Sequence, residues 1–293
     1  MSVLVCEGIT KIEKNKPSIR NFNFNFLDNR IYGIVGKSDS GNELLLQAIT
    51  ARTKVDSGSV YIDGELLTND RRVSERLCYL SNDTSFPFHL KVSTIFRVME
   101  SFYPKWDNGY AYELINTFKI KIDNTFGKLK KDHKELLIGI LGLASRANIT
   151  VLNNPLDSVD VKNRFDFFNL LYEHHLRYPR TLIISTNHID ELETIVDKVL
   201  FLDRGILFET FTVKAIKNNF RYLSGKSEVL KSLISGIKII GFEERERNLT
   251  VCISRRLSKD ETRKFQRYLI EISDVPIQKI FIYLIHLREL KGI

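Results

Sequence analysis

The stretch IYGIVGKSDSGNELLLQAI, residues 31–49, decides how this chain is read. IYGIVG is an unbroken buried-strand pattern of the kind covered on both faces of a parallel sheet, and the residues after the loop, ELLLQAI onward, space their apolar side chains as a helix does. Between them Gly36 and Gly41 stand five apart, which is the frame of a G-x-x-x-x-G-K-[ST] loop whose successive backbone N–H groups curl around phosphate oxygens. The frame is present but its side chains are changed: Asn42 holds the Lys position and Glu43 the Ser/Thr position. The candidate phosphate site is therefore the loop Gly36, Lys37, Ser38, Asp39, Ser40, Gly41, Asn42, Glu43 and Leu44. On this segment alone, a glycine-bearing strand-to-helix turn with no ligand is the competing reading.

Working outward, VLVCEGI and the period-two Phe22, Phe24 and Phe26 read as strands leading into the loop, and VDSGSVYIDGELL as a turn, a strand and a glycine-containing hairpin turn. The pattern is helical from Val92 to Phe118, interrupted at Tyr103 to Asp107, and again from Lys134 to Ala147 and from Phe165 to His175. ITVL, TLIIST and KVLFLD read as buried strands, with IDELETIV as a helix between the last two. The opening β-loop-α and the late βαβ alternation predict a mainly parallel α/β core ending near Leu207. A second unit, 222–293, is expected to be a small α+β domain with helices on one face of its sheet, reached through a linker around Lys214 to Arg221. Its elements are VLKSLIS, KIIGFEE, LTVCIS, DETRKFQRYLIEIS and IQKIFIYLIHLREL.

The chain has 293 residues, 43% hydrophobic and 27% charged, which excludes a disordered chain and suits one large domain plus a smaller one. A net charge of +8 is compatible with nucleic acid, anionic lipid or an acidic protein and does not choose among them. Cys6, Cys78 and Cys252 are far apart and flanked by apolar residues, so they read as buried thiols in a reducing compartment. No secretory pattern opens the sequence, and no apolar run approaches the ~20 residues of a membrane span. The expectation is a cytoplasmic protein that reaches a membrane only through a partner.

Taken in order, ITKIEK, the loop, VDSGSVYIDGELL, VLNNPLDSVDVKNR and TLIISTNHIDELETIVDKVLFLDRGIL resemble the nucleotide-binding subunit of ABC transporters over about residues 3 to 207. The SFYPKWD segment and the C-terminal unit further resemble bacterial exporter ATPases. The resemblance implies a P-loop NTPase-like cassette over 1–214: a mainly parallel core sheet, antiparallel N-terminal strands and a helical subdomain at about 88–147. It also implies ATP and Mg²⁺ as cofactors, a transmembrane permease and a second ATPase subunit as partners, no nucleic acid, and a location on the inner face of the membrane.

Carried over by position, the resemblance also exposes departures. The Walker B stretch, where the family has Asp-Glu-Pro, reads Asn153, Asn154 and Pro155. The signature Leu-Ser-Gly-Gly-Gln reads Leu129, Lys130, Lys131, Asp132 and His133. Asn82 holds the Q-loop position, and Ile12 sits where an aromatic usually stacks on adenine. Asp160 of the D-loop and His188, the γ-phosphate contact, match. His188 and Asn154 occupy the catalytic positions, and Glu43 is the candidate ligand for a metal. The resemblance thus points to an exporter subunit whose own ATPase is weak or absent, docked on a permease through Phe86, Phe88, Phe96, Phe102, Tyr103 and Trp106. The competing classes are a soluble regulatory cassette acting on nucleic acid through Lys128, Lys130, Lys131 and Lys134, and a scaffold that binds no nucleotide.

Overall fold

Alternation builds the first layer. In the computed structural model, which describes residues 2–13, 18–37, 39–68, 73 and 75–291, β1 (Ser2–Lys11) pairs antiparallel with β2 (Ile19–Leu27). Phe22 and Phe26 point inward along β2, with Phe24 packed beside them. β1 pairs on its other side with β4 (Ser57–Ile62), which follows β3 (Ile31–Gly36) in the chain, and β4 turns back into β5 (Glu65–Leu66). That turn is the glycine hairpin expected from the sequence: Asp63 and Gly64 both take positive φ, 51° and 84°, the arrangement that matches the twist of a two-residue hairpin.

The second sheet runs in the order β10-β9-β3-β8-β7-β6, where β6 is Leu77–Ser81, β7 Ile149–Asn153, β8 Thr181–Ser185, β9 Lys198–Asp203 and β10 Ile206–Thr212. The ladders β9–β3, β3–β8, β8–β7 and β7–β6 are all parallel. Strands β6, β7 and β8 are buried from end to end, as continuous apolar runs require. The first strand of this sheet, β3, sits inside it with later strands on both sides, so the carboxyl ends of β3, β6, β7 and β8 open onto a crevice at a reversal of strand order. The architecture is α/β with a mostly parallel core sheet and a separate antiparallel sheet, as the sequence predicts.

Helix α1 (Asn42–Ile49) follows β3, then come α2 (Val92–Phe102), α3 (Asn108–Thr117), α4 (Lys131–Ala144) and α5 (Val161–Arg177). The break expected at Tyr103 to Asp107 is real: Asp107 starts α3 by accepting from the Tyr110 N–H at 2.9 Å. IDELETIV is not a full helix. Its helical part is a 3₁₀ turn, Ile189–Leu192, and the burial of Ile189, Leu192 and Ile195 at intervals of three suits that tighter winding.

A second compact unit begins at Phe211. The stretch expected to be a linker is helix α6 (Val213–Asn219), capped by the Thr212 hydroxyl at 3.1 Å from the Ala215 nitrogen, and it runs into strand β11 (Phe220–Lys226). The sheet order is β12-β13-β11-β14, with β12 at Ile239–Arg245, β13 at Asn248–Ser254 and β14 at Glu271–Ser273. α7 (Ser227–Leu233) and α8 (Lys259–Arg267) bury Leu230 and Phe265 with Leu223, Val251 and Ile253. Helix α9 (Ile277–Leu290) packs on the other face, where Tyr283 meets Tyr222 and fills the space a Cβ at Gly241 would take. Helices therefore cover both faces, where one was expected. DETRKFQRYLIEIS also divides: the helix stops at Arg267, Leu269 turns with φ 57°, and Ile270 enters the core ahead of β14.

Candidate functional site

The carboxyl ends of the parallel strands bring the predicted loop and the Walker B position together. A cleft of about 410 Å³ is lined by Gly36, Lys37, Gly41, Asn42, Glu43, Leu44, Asn82, Asn153 and Asn154, all expected from the sequence. Glu13, Gln47, Asp83, Ser185 and Asn187 also line it and were not expected. Ser38 lies outside the described residues. Asp39 is exposed, while Ser40 is fully buried beneath the loop; neither lines the cleft.

The loop closes on itself. Gly41 takes φ 86° as it leads into α1, a left-handed turn that glycine makes without penalty, and no side chain caps the helix. The Ser40 N–H donates to the Lys37 carbonyl at 2.9 Å, and the Ser40 carbonyl accepts from the Gly205 N–H at 2.8 Å. Asn42 turns back into the loop: its Oδ1 accepts from the Ser40 hydroxyl at 2.9 Å, and its Nδ2 reaches the Ser185 hydroxyl at 3.5 Å. A Cβ at Gly36 would overlap Ser40 and come within 2.6 Å of Asn42 Oδ1, so only glycine leaves room for this closure. Glu43 is exposed one residue on and accepts from Gln47 Nε2 at 2.9 Å. Among the described residues no group of three or more His, Cys, Asp or Glu is arranged to hold a metal, around Glu43 or elsewhere.

At the far wall, Asn153 is 4% exposed and ends β7, and its carbonyl accepts from the Asn82 N–H at 3.2 Å. Asn154 holds φ 44°, a conformation that Asn tolerates better than most residues, and its N–H donates to the Ser185 carbonyl at 2.8 Å. Beneath, burial raises the pKa of the Tyr79 phenol, and the Glu43 charge raises it further.

Two matched positions do not line the cleft. His188 precedes the 3₁₀ turn, half-buried, with its N–H on the Thr186 hydroxyl at 3.0 Å. Asp160 caps α5: it accepts from the Asn163 N–H at 3.0 Å and from its amide at 2.6 Å, and the former bond is the main reason its carboxyl sits below its usual range. Unforeseen residues fix this neighbourhood. Glu135 of α4, 2% exposed, accepts from the Ser158 N–H at 2.6 Å, and Arg164 of α5 grips Glu191 at 2.8 Å while donating to the Val159 carbonyl. Asn187 reaches Asp157 at 3.3 Å. A long-range carboxylate partner leaves no local sequence pattern, which is why these were missed.

The aromatic positions expected to form a docking groove separate. Phe96 is 2% exposed and packs on Trp106 and Tyr112, so it belongs to the core. Phe86 packs edge-on against Phe126, and Phe88 is exposed with Lys134 over its ring. Phe102 and Tyr103 line a cleft of about 490 Å³ with Arg52, Leu67, Leu77 and Tyr79. Among the described residues no helix is long and apolar enough to cross a membrane.

Known proteins resemble this chain in sequence and in fold. The ABC transporter family model matches residues 19–142, less than half of the chain. The ABC transporter ATP-binding protein YtrB of Bacillus subtilis is 23% identical over 190 residues, which cover 65% of this chain and 65% of YtrB. The glucosylceramide transporter ABCA12 of mouse is 23% identical over 213 residues, 68% of this chain but 8% of that protein. The alignments thus span less than two thirds of either relative. A solved ATP-binding subunit of an ABC transporter superposes with a TM-score of 0.66 at 12% identity, covering 74% of this chain and 92% of that one, a likeness of fold.

Proposed function

The chain carries an ABC transporter ATP-binding cassette, and from that premise we propose that it serves a membrane transporter as a pseudo-ATPase subunit. The carrying observation is the loop: Asn42 spends its amide on Ser40 and Ser185 inside the protein. Among the described residues lining the cleft Lys37 is the one cation, against Glu13, Glu43 and Asp83. A cation ~4 Å from a phosphate oxygen is worth about 4 kcal/mol at an effective dielectric near 20, and carboxylates nearby oppose it by terms of similar size. Phosphoryl transfer depends almost wholly on positioning and charge neutralisation. The cassettes' ATP and Mg²⁺ do not fit the side chains here, because Asn153 and Asn154 supply neither a metal-neutralising charge nor a base, and Glu43 stands on the helix with Gln47 as its partner.

In this reading an active second cassette supplies turnover, and a permease anchors the pair at the cytoplasmic face of the membrane. The cleft bearing Phe102 and Tyr103 is the surface on which the permease docks. The likeness to exporter ATPases supports export of peptides, toxic amphiphiles or lipids. Affinity purification of the chain from its own cells tests this: a multi-span membrane protein and an intact ATPase should be retained. Recovery of RNA or ribosomes in their place would establish the nucleic-acid reading.

A further inference from the structure

The other end of the parallel sheet holds a second cleft, of about 670 Å³, formed by residues just ahead of three strands: Asn29 before β3, Asn148 before β7 and Arg180 before β8. Four cations line it, Lys105, Arg146, Arg177 and Arg180, and Asp28 is the one carboxylate in its lining. Arg180 is 5% exposed. Its Nη2 donates to the Leu143 carbonyl at 2.8 Å, while its buried Nε and Nη1 have no hydrogen-bond partner. Arg146 pairs with Asp107 at 2.6 Å and lies 3.5 Å from the centre of the Tyr178 ring, and its buried Nε is likewise unpartnered. Lys105 is oriented by Asn148 at 2.9 Å, and Arg177 stands exposed at the rim.

Arginine nitrogens buried without acceptors leave the positive charge of this wall uncompensated, and that charge favours an anion in the cleft beside them. The local field agrees. His174, stacked on Tyr110 at 4.0 Å behind the arginines, has its pKa lowered to about 3 by burial first and then by Arg180, Arg146 and Arg177. Guanidinium forks match the oxygens of phosphate two at a time, and Lys105, Arg146, Arg177 and Arg180 outnumber Asp28 and the Arg146 partner Asp107, an excess that suits a dianion.

We infer that this cleft binds a phosphate-class dianion, as inorganic phosphate or a phosphomonoester headgroup, through Arg146, Arg177, Arg180 and Lys105. Trp106, the chain's single tryptophan, lines the cleft and reports on it. The full chain is titrated with sodium phosphate against sodium chloride at constant ionic strength, following Trp106 emission. In a second arm it is mixed with phosphatidylcholine vesicles with and without phosphatidic acid. A saturable response to phosphate identifies the soluble ligand, and a response to the phosphatidic acid vesicles alone identifies the lipid. Arg177→Gln, at an exposed position, weakens either response about tenfold, the equivalent of one charge-assisted hydrogen bond. Lys37→Gln in the other cleft leaves it unchanged. Emission indifferent to phosphate and to both vesicles overturns the inference, as does a response that survives Arg177→Gln and Lys105→Gln or is abolished by Lys37→Gln.

Discussion

Two clefts at opposite ends of one parallel sheet have described linings of opposite charge. At the carboxyl ends, where the cassette fold presents its glycine loop, the cleft has one cation, Lys37, facing Glu13, Glu43 and Asp83 among its described residues. At the amino ends, Lys105, Arg146, Arg177 and Arg180 face Asp28. Gly36 and Gly41 keep the frame of a phosphate loop in the first cleft, yet most of the cations line the second. Fold and charge are thus separable. Strand burial and two glycines suffice for the loop's shape, while affinity for an anion depends on side chains that can change without disturbing a single ladder.

The largest expected effect comes from returning charge to the loop. Asn42→Lys with Glu43→Thr replaces an amide and a carboxylate by a cation and a hydroxyl, and should tighten ATP binding by about a hundredfold or more, measured by equilibrium titration. Unchanged affinity would show that charge is not what the first cleft lacks. Next in size is Gly36→Ala. Its methyl would overlap Ser40 and crowd Asn42, so urea unfolding should show a loss of about 1–3 kcal/mol. A neutral result would mean the loop opens easily.

Asn154→Glu puts a residue without the short amide into φ 44°, and about 1 kcal/mol of stability should be lost by the same measurement. The smallest effect near neutral pH comes from His174, which does not line the second cleft but feels its arginines. The folded pKa of His174 lies near 3, below its unfolded value of 6.5, so the unfolded chain binds the extra proton first. Stability is full above about pH 6.5 and declines as pH falls toward 3, so Tm should drop on acidification and His174→Phe should flatten the drop. An unaltered slope would show that burial and the arginines together do not hold the pKa of that ring down.

Much of this was legible in the sequence because it is local. IYGIVG, ITVL and TLIIST are buried strands by composition alone, and the spacing of Gly36 and Gly41 gives the loop between strand and helix. What was not legible depends on distance in the chain. Nothing near Asn42 announces that Ser185 receives its amide, and nothing near Arg180 announces Lys105 and Arg146. The short strand β14 was read as helix because its apolar residues continue the spacing of α8. The turn at Leu269 and pairing with β11 override that pattern. Asp160 and His188 were found by position in a motif, and the described contacts give the first a capping role.

On the proposed reading, this cassette keeps the shape of a nucleotide site without its chemistry. The direct measurement is phosphate release from Mg·ATP by the purified chain alone. Release should be no faster than from a buffer control, with Lys37, Glu43 and His188 variants indistinguishable from the parent chain. Turnover at the rates of ordinary cassettes, abolished by changing Glu43 or His188, would contradict it.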